Sequence, residues 1–261
     1  MDRTDKVDIF GVEIQDTTLQ NLMGELKNAL QDKKFCKVFT PNTEIVMMAK
    51  KSETLKKELN KGTYVIPDGI GLIYGARLRG VRLRERVTGY DTSVELLRLA
   101  HKEGYGVYLL GGREGVAQEA KKQLEKNYPG IRITGHHHGF FKGSHAGDGV
   151  TPEELLIVDE IQKSDTDILF VGFGFPRQEI WINSHGEKLG VTVAIGNGGV
   201  IDILSGQAKR APDIFIKLGL EWFYRLVTNP SRIKRQSVLP LFLVEVAMNK
   251  NSISEINKED K

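Results

Sequence analysis

One arrangement recurs along this chain and limits what it can fold into: a short β-rich run, a turn carrying glycine or proline, then helically spaced apolar residues. Residues 37–40 lead through Pro41-Asn42 into a predicted helix over 43–57, where Ile45, Val46, Met48, Ala49 and Leu55 suit one face. Residues 63–66 run through Pro67-Asp68-Gly69 into 72–78, and residues 106–110 through Gly111-Gly112-Arg113-Glu114-Gly115 into 116–126. Residues 167–171 run through Gly172-Phe173-Gly174-Phe175-Pro176 into 178–189, and 191–195 through Gly196-Asn197-Gly198-Gly199 into a last short helix. Strands alternating with helices of this length make βαβ units. The expected fold is therefore α/β, a Rossmann-like parallel sheet with helices on both faces. Ligands of such sheets bind at the carboxyl ends of the strands, which puts all five turns on one rim.

The chain has 261 residues, room for one large domain or a domain with an appendage. Its 40% hydrophobic and 27% charged residues exclude collagenous, coiled-coil and wholly disordered folds, and a formal charge of +3 does not mark a nucleic-acid binder. Cys36 is the single cysteine, so no internal disulfide forms; a reducing cytosol suits it, as a small buried apolar residue. The start, MDRTDKVDIF, is acidic where a signal peptide needs a basic head and an apolar run, and predicts no export. Residues 238–248 are apolar but span about half of a membrane crossing and include Pro240 and Glu245. Any membrane contact is expected to be peripheral, on the cytoplasmic side.

Composition changes after Gln207. Between 209 and 235 stand seven basic residues, Lys209, Arg210, Lys217, Arg225, Arg232, Lys234 and Arg235, against Asp213 and Glu221. Ile214, Phe215, Leu218, Leu220, Trp222, Phe223 and Leu226 are interleaved. Such a segment suits an anionic bilayer surface, or equally a terminal helix docked on the domain with its basic face in water. The chain thus divides into a core, 1–207, expected to fold alone, and a basic amphipathic helical appendage, 208–261, whose polar end, Asn249 to Lys261, is expected to fray.

A glycine turn after a strand can offer backbone N–H groups to a phosphate, or can hold glycine only for its backbone freedom. Gly111, Gly112, Gly172, Gly174 and Gly196 are the candidates for a nucleotide lying across the rim. Asp68 either faces a ligand or caps a helix, and Thr40 and Asn42 pose the same choice beside Pro41. Gln178, at a helix start, reaches a sugar hydroxyl or lies exposed, and Asp202 accepts from a nucleoside or caps a short helix. His136-His137-His138 lacks the i, i+4 spacing of a helical metal site and reads as a strand or loop end. No GxxxxGK[ST] or GxSxG occurs, which leaves P-loop hydrolysis and the common esterase unsupported.

The ordered set TPNTEIV (40–46), PDGIG (67–71), ERVTG (85–89), YLLGG (108–112), HHGFF (137–141), GFGFPRQEIW (172–181), GNGGVIDILSG (196–206) and KRAPDIFIKLGLEWFYRL (209–226) resembles the bacterial WecG/TagA/CpsF glycosyltransferases from about residue 7 to 248. Its teichoic-acid members transfer N-acetylmannosamine from UDP to undecaprenyl-diphosphate-linked N-acetylglucosamine. The resemblance implies Asp68 as general base, Thr40 and Asn42 as pocket groups near the reacting sugars, and Arg86 as a charged contact. It puts Gln178 on the donor sugar and Asp202 on the nucleoside. Arg225, Arg232 and Arg235 match arginines of an appendage that closes over the site and touches the membrane. Asn197 is a departure, where many relatives carry an apolar residue between glycines.

The implied partners are a UDP-sugar, a polyprenyl-diphosphate acceptor and the membrane surface, with a homo-oligomer possible and no nucleic acid. No cofactor or metal is expected: the DxD of Asp165-Thr166-Asp167 precedes a strand, away from the rim, so arginines are the expected diphosphate clamp. A single base with direct displacement inverts the anomeric carbon. Two other classes predict differently: a non-catalytic nucleotide module binds without turnover, and an NAD-dependent oxidoreductase binds a dinucleotide.

Overall fold

The structure, a computed structural model, describes residues 6–228 and 237–256; Arg232, Lys234 and Arg235 lie outside them. Strands β1 (Lys6–Ile9) and β2 (Val12–Gln15) form a hairpin. Helix α1 (Leu19–Asp32) leads to β3 (Cys36–Phe39), α2 (Thr43–Lys50), α3 (Glu53–Asn60), β4 (Tyr64–Val65), α4 (Ile70–Leu78) and α5 (Gly89–Glu103). Next come β5 (Val107–Gly111), α6 (Val116–Asn127), β6 (Ile133–His137), α7 (Pro152–Lys163), β7 (Ile168–Gly172), α8 (Arg177–His185), β8 (Val193–Gly196) and α9 (Val200–Leu204). The C-terminal part holds α10 (Asp213–Lys217), α11 (Glu221–Thr228), α12 (Val238–Met248) and β9 (Ile253–Ile256).

The main sheet has six parallel strands in the order β4-β3-β8-β7-β5-β6. Its central strands are apolar throughout because both faces are covered. Tyr108, Leu110, Leu169, Val171 and Ala194 enter one core, while Val107, Leu109, Ile168, Phe170, Val193 and Ile195 enter the other. Period-two alternation thus feeds two hydrophobic layers, as the α/β reading requires. Cys36 is 2% exposed, and burial pushes its thiol up to about 12, so it is an inert core residue.

The histidine run ends a strand as expected: β6 lies at the sheet edge, where every residue is only half-buried. Two local expectations need correction. The helix over 43–57 is two helices, because the Ser52 side chain caps α3 by accepting from Leu55 N–H. The C-terminal end does not simply fray: β9 pairs antiparallel with β1, with Ile9 opposite Ile253, and completes a second sheet, β2-β1-β9. Isoleucines at 253 and 256 supply the β-branched residues that a polar average over the tail conceals.

Helix α12 also belongs to the core. Phe242 and Val246 are fully buried, Phe242 meets Phe10 edge-on at 5.9 Å, and Glu245 pairs with Lys50. The helix fits because α4 carries Gly71 and Gly75, where a Cβ would stand 2.3 Å from Leu239 and 2.6 Å from Phe242.

Candidate active site

At the β3/β4 edge of the rim, the turns after the two strands run side by side. Asp68 N–H donates to Pro41 O at 3.1 Å, and Val87 N–H to Pro67 O at 3.1 Å. These bonds bring TPN, PDG and ERVTG together. The cleft there is about 130 Å³, and Asn42, Asp68, Arg86, Glu221, Trp222 and Leu239 are among its lining residues. Core turns therefore form one wall, while α11 and the start of α12 form another.

Arg86 joins the two. Its Nε donates to the Asp68 carbonyl at 2.6 Å, and its Nη2 donates to Glu221 Oε2 at 2.5 Å and lies 3.9 Å from Asp68 Oδ1. Glu221 is only 8% exposed, and a buried carboxylate needs such a partner. The Asp68 side chain keeps 30% of its surface exposed, so its carboxylate can meet a ligand with the Arg86 guanidinium 3.9 Å away. Arg210 anchors the appendage a second time, pairing with Asp91 at 2.7 Å over the ring of Tyr90.

The other expected residues divide by position. Asn42 lines the cleft, and its Oδ1 caps α2 through Ile45 N–H, so its amide NH₂ is the end it can offer a ligand. Thr40 is not in the cleft lining; it is 7% exposed and donates to Gly196 O at 3.0 Å. Arg225 lies on α11. Asp202 sits within α9, and neither it nor Gln178 lines this cleft.

Gln178 is 3% exposed and ties the glycine turns together. Its Oε1 accepts from Gly174 N–H at 3.1 Å and Gly198 N–H at 3.0 Å, while Nε2 donates to Glu179 Oε1 at 2.9 Å. Gly112 N–H donates to Gly172 O at 3.3 Å. Of the two readings of these turns, amides offered to a phosphate or glycines needed for backbone freedom, the second fits Gly112 and Gly174, whose N–H groups are bonded inside the protein. The glycines permit close approach instead: a Cβ on Gly111 would lie 2.7 Å from Gly172, and one on Gly172 2.7 Å from Gly198 O. Gly196 faces the Gln178 amide, where a Cβ would stand 3.0 Å from Nε2. Asn197, 5% exposed, turns its amide to Ser93 Oγ at 3.0 Å rather than to the rim. The DxD carboxylates Asp165 and Asp167 are paired with Arg132 at 2.6 and 3.0 Å, at the amino end of β7.

Glu179 is buried, which pushes its carboxyl up to about 7. The folded protein therefore holds that proton to higher pH than the unfolded chain, whose carboxyl titrates near 4.5. Between those values the native state binds more protons, so stability falls as pH rises and levels off above 7. Glu179→Gln keeps an acceptor for Gln178 and should remove the fall, gaining on the order of 2 kcal/mol relative to wild type between pH 5 and pH 8. Urea midpoints at the two pH values check this; a constant difference between the proteins would refute it.

Glu221 and Trp222 were not singled out from the sequence as site residues. A signal existed for the first, one of two acids in a run of seven bases.

Comparison with known proteins gives the family. Residues 7–255 match the family model described as glycosyl transferase WecG/TagA/CpsF family. The chain is similar to an N-acetylglucosaminyldiphosphoundecaprenol N-acetyl-beta-D-mannosaminyltransferase of Staphylococcus aureus strain NCTC 8325 / PS 47, 33% identical over 254 residues, covering 97% of this chain and 96% of the relative. The protein of the same name in strain MRSA252 matches with the same identity and coverage. With the Asp68 and Arg86 turns inside a match that runs nearly end to end, the chain belongs to the WecG/TagA/CpsF family of glycosyltransferases.

Proposed function

We propose that the protein transfers N-acetylmannosamine from UDP-N-acetylmannosamine to undecaprenyl-diphosphate-linked N-acetylglucosamine, with inversion, in teichoic-acid synthesis. The observation that carries the chemistry is Asp68, a partly exposed carboxylate in a cleft beside Arg86. In this reading Asp68 takes the proton of the acceptor hydroxyl as that oxygen attacks the anomeric carbon. The bond from that carbon to the phosphate oxygen breaks, and UDP leaves with the electron pair. Guanidinium groups stabilise the charge on the departing diphosphate; Arg86 is in the cleft, and Arg225, Arg232 and Arg235 are the further candidates.

The names of the relatives support the transferred sugar and the acceptor. A peripheral site on the cytoplasmic membrane face is supported by the apolar residues left exposed on the appendage: Ile214, Leu218, Phe223 and Val227 on or beside α10 and α11, and Leu241, Val244 and Met248 on α12. Among the described residues no helix is long and apolar enough to cross a membrane.

The test is a panel of UDP-sugars against a short-chain diphosphate-linked N-acetylglucosamine, each with and without excess EDTA. UDP-N-acetylmannosamine should be the working donor, the product should be the inverted anomer, and chelation should leave the rate unchanged. Preference for another UDP-sugar would reassign the donor within the family, to capsule or exopolysaccharide synthesis. UDP binding without turnover on any donor would make the protein a nucleotide-binding module. Loss of activity in EDTA, restored by Mg²⁺ or Mn²⁺, would overturn the arginine clamp.

A further inference from the structure

We propose that Trp222 is the platform on which the acceptor's N-acetylglucosamine ring stacks, and that the Arg86–Glu221 ion pair sets it there. This rests on the glycosyl-transfer reading above.

A pyranose presents hydroxyls around its edge and a patch of C–H groups on its face, so its site needs a flat apolar surface among polar groups. The Asp68 cleft has that composition. Asn42, Glu44, Asp68, Arg86 and Glu221 supply polar groups, and Trp222 is the aromatic member of the lining. The chain's two tryptophans contrast in use: Trp181 is 0% exposed in the core, whereas Trp222 is half-buried at the cleft. An indole can give its face to a ligand when packing has not consumed it.

Its placement is tied to the chemistry through one side chain. The guanidinium that holds the Asp68 carbonyl at 2.6 Å also holds Glu221 at 2.5 Å, and Glu221 is the residue before Trp222. The distance from base to platform is thus set by a buried ion pair rather than by a long run of surface chain. Glu221 acts as a positioning residue. The sugar in question is the acceptor's because Asp68, which follows β4 at the sheet edge beside Trp222, must reach the hydroxyl it deprotonates. Exposed apolar residues for the lipid, Leu218 and Phe223, stand on the same appendage as Trp222.

The experiment uses the full chain, a short-chain prenyl-diphosphate N-acetylglucosamine in solution without vesicles, and the same prenyl diphosphate lacking the sugar. Trp222→Ala should raise the acceptor KM by about 10-fold with the donor KM nearly unchanged, and Trp222→Phe should recover most of that loss. Glu221→Gln should raise the acceptor KM in the same direction. Independently of turnover, with UDP present, the sugar-bearing acceptor should shift tryptophan emission in the wild type but not in Trp222→Phe, and the sugarless lipid should not shift it. An unchanged acceptor KM in Trp222→Ala, an equal rise in donor KM, or an equal emission shift from the sugarless lipid would each overturn the proposal. The last would make Trp222 a lipid contact. If the wild type transfers no sugar from any donor, the glycosyl-transfer reading is what fails, and the emission arm still decides whether the sugar reaches Trp222.

Discussion

Asp68→Asn should lower turnover by about 10² or more while leaving UDP affinity nearly unchanged. The substitution is close to isosteric, and the backbone that positions residue 68 is held independently of its carboxylate. Its N–H goes to Pro41 O and its carbonyl accepts from Arg86 Nε. The loop should therefore keep its shape, and the change removes basicity from a side chain that is 30% exposed in the cleft. An amide cannot take the acceptor proton at neutral pH, which leaves water as the base. Steady-state rates on the soluble acceptor, with UDP binding measured by calorimetry, separate the two effects. Turnover within a few-fold of wild type would remove Asp68 from the role of base.

Cutting the chain after Gln207 should cost most of its stability, contrary to the expectation of a core that folds alone. The cut removes Phe242 and Val246, both fully buried, and Ile253, 4% exposed, together with the β9 partner of β1. Three buried apolar side chains are worth on the order of 5–10 kcal/mol, which is the whole net stability of a typical domain. The truncated chain should melt broadly, expose the β1 edge and aggregate. In the intact chain Phe242→Ala should cost about 3–5 kcal/mol and lower Tm by roughly 10 °C. Calorimetry on both proteins decides; a 1–207 chain with a sharp transition at the wild-type temperature would show that α12 and β9 are dispensable.

These outcomes bear on how far one dimension reaches. The alternation of short apolar runs with helical spacing places β3, β4, β5, β7 and β8 and the turns after them, because strand and helix periods are local properties and central parallel strands are apolar on both faces. Asp68 was legible for the same reason: a carboxylate flanked by Pro67 and Gly69 at a strand's carboxyl end has a position that neighbouring residues define. Strand β6 was harder to read because Gly135, His136 and His137 dilute its pattern at a half-buried edge. Strand β9 was hidden because its polar neighbours dominate any average over the tail.

By itself, the sequence determined the α/β class, the rim and the family, each of which rests on short-range pattern or on ordered motifs. Only the tertiary structure decided which groups on the rim are spoken for. Gln178 and Thr40 have the composition of ligand contacts, yet their polar atoms are bonded to Gly174, Gly198, Glu179 and Gly196. Arg86 meets Glu221 across 135 residues, and that pair carries Trp222 into the cleft. The physical reason is that periodicity encodes which face of an element is buried, whereas a buried polar group must find its particular partner, and that partner is defined by the folded chain.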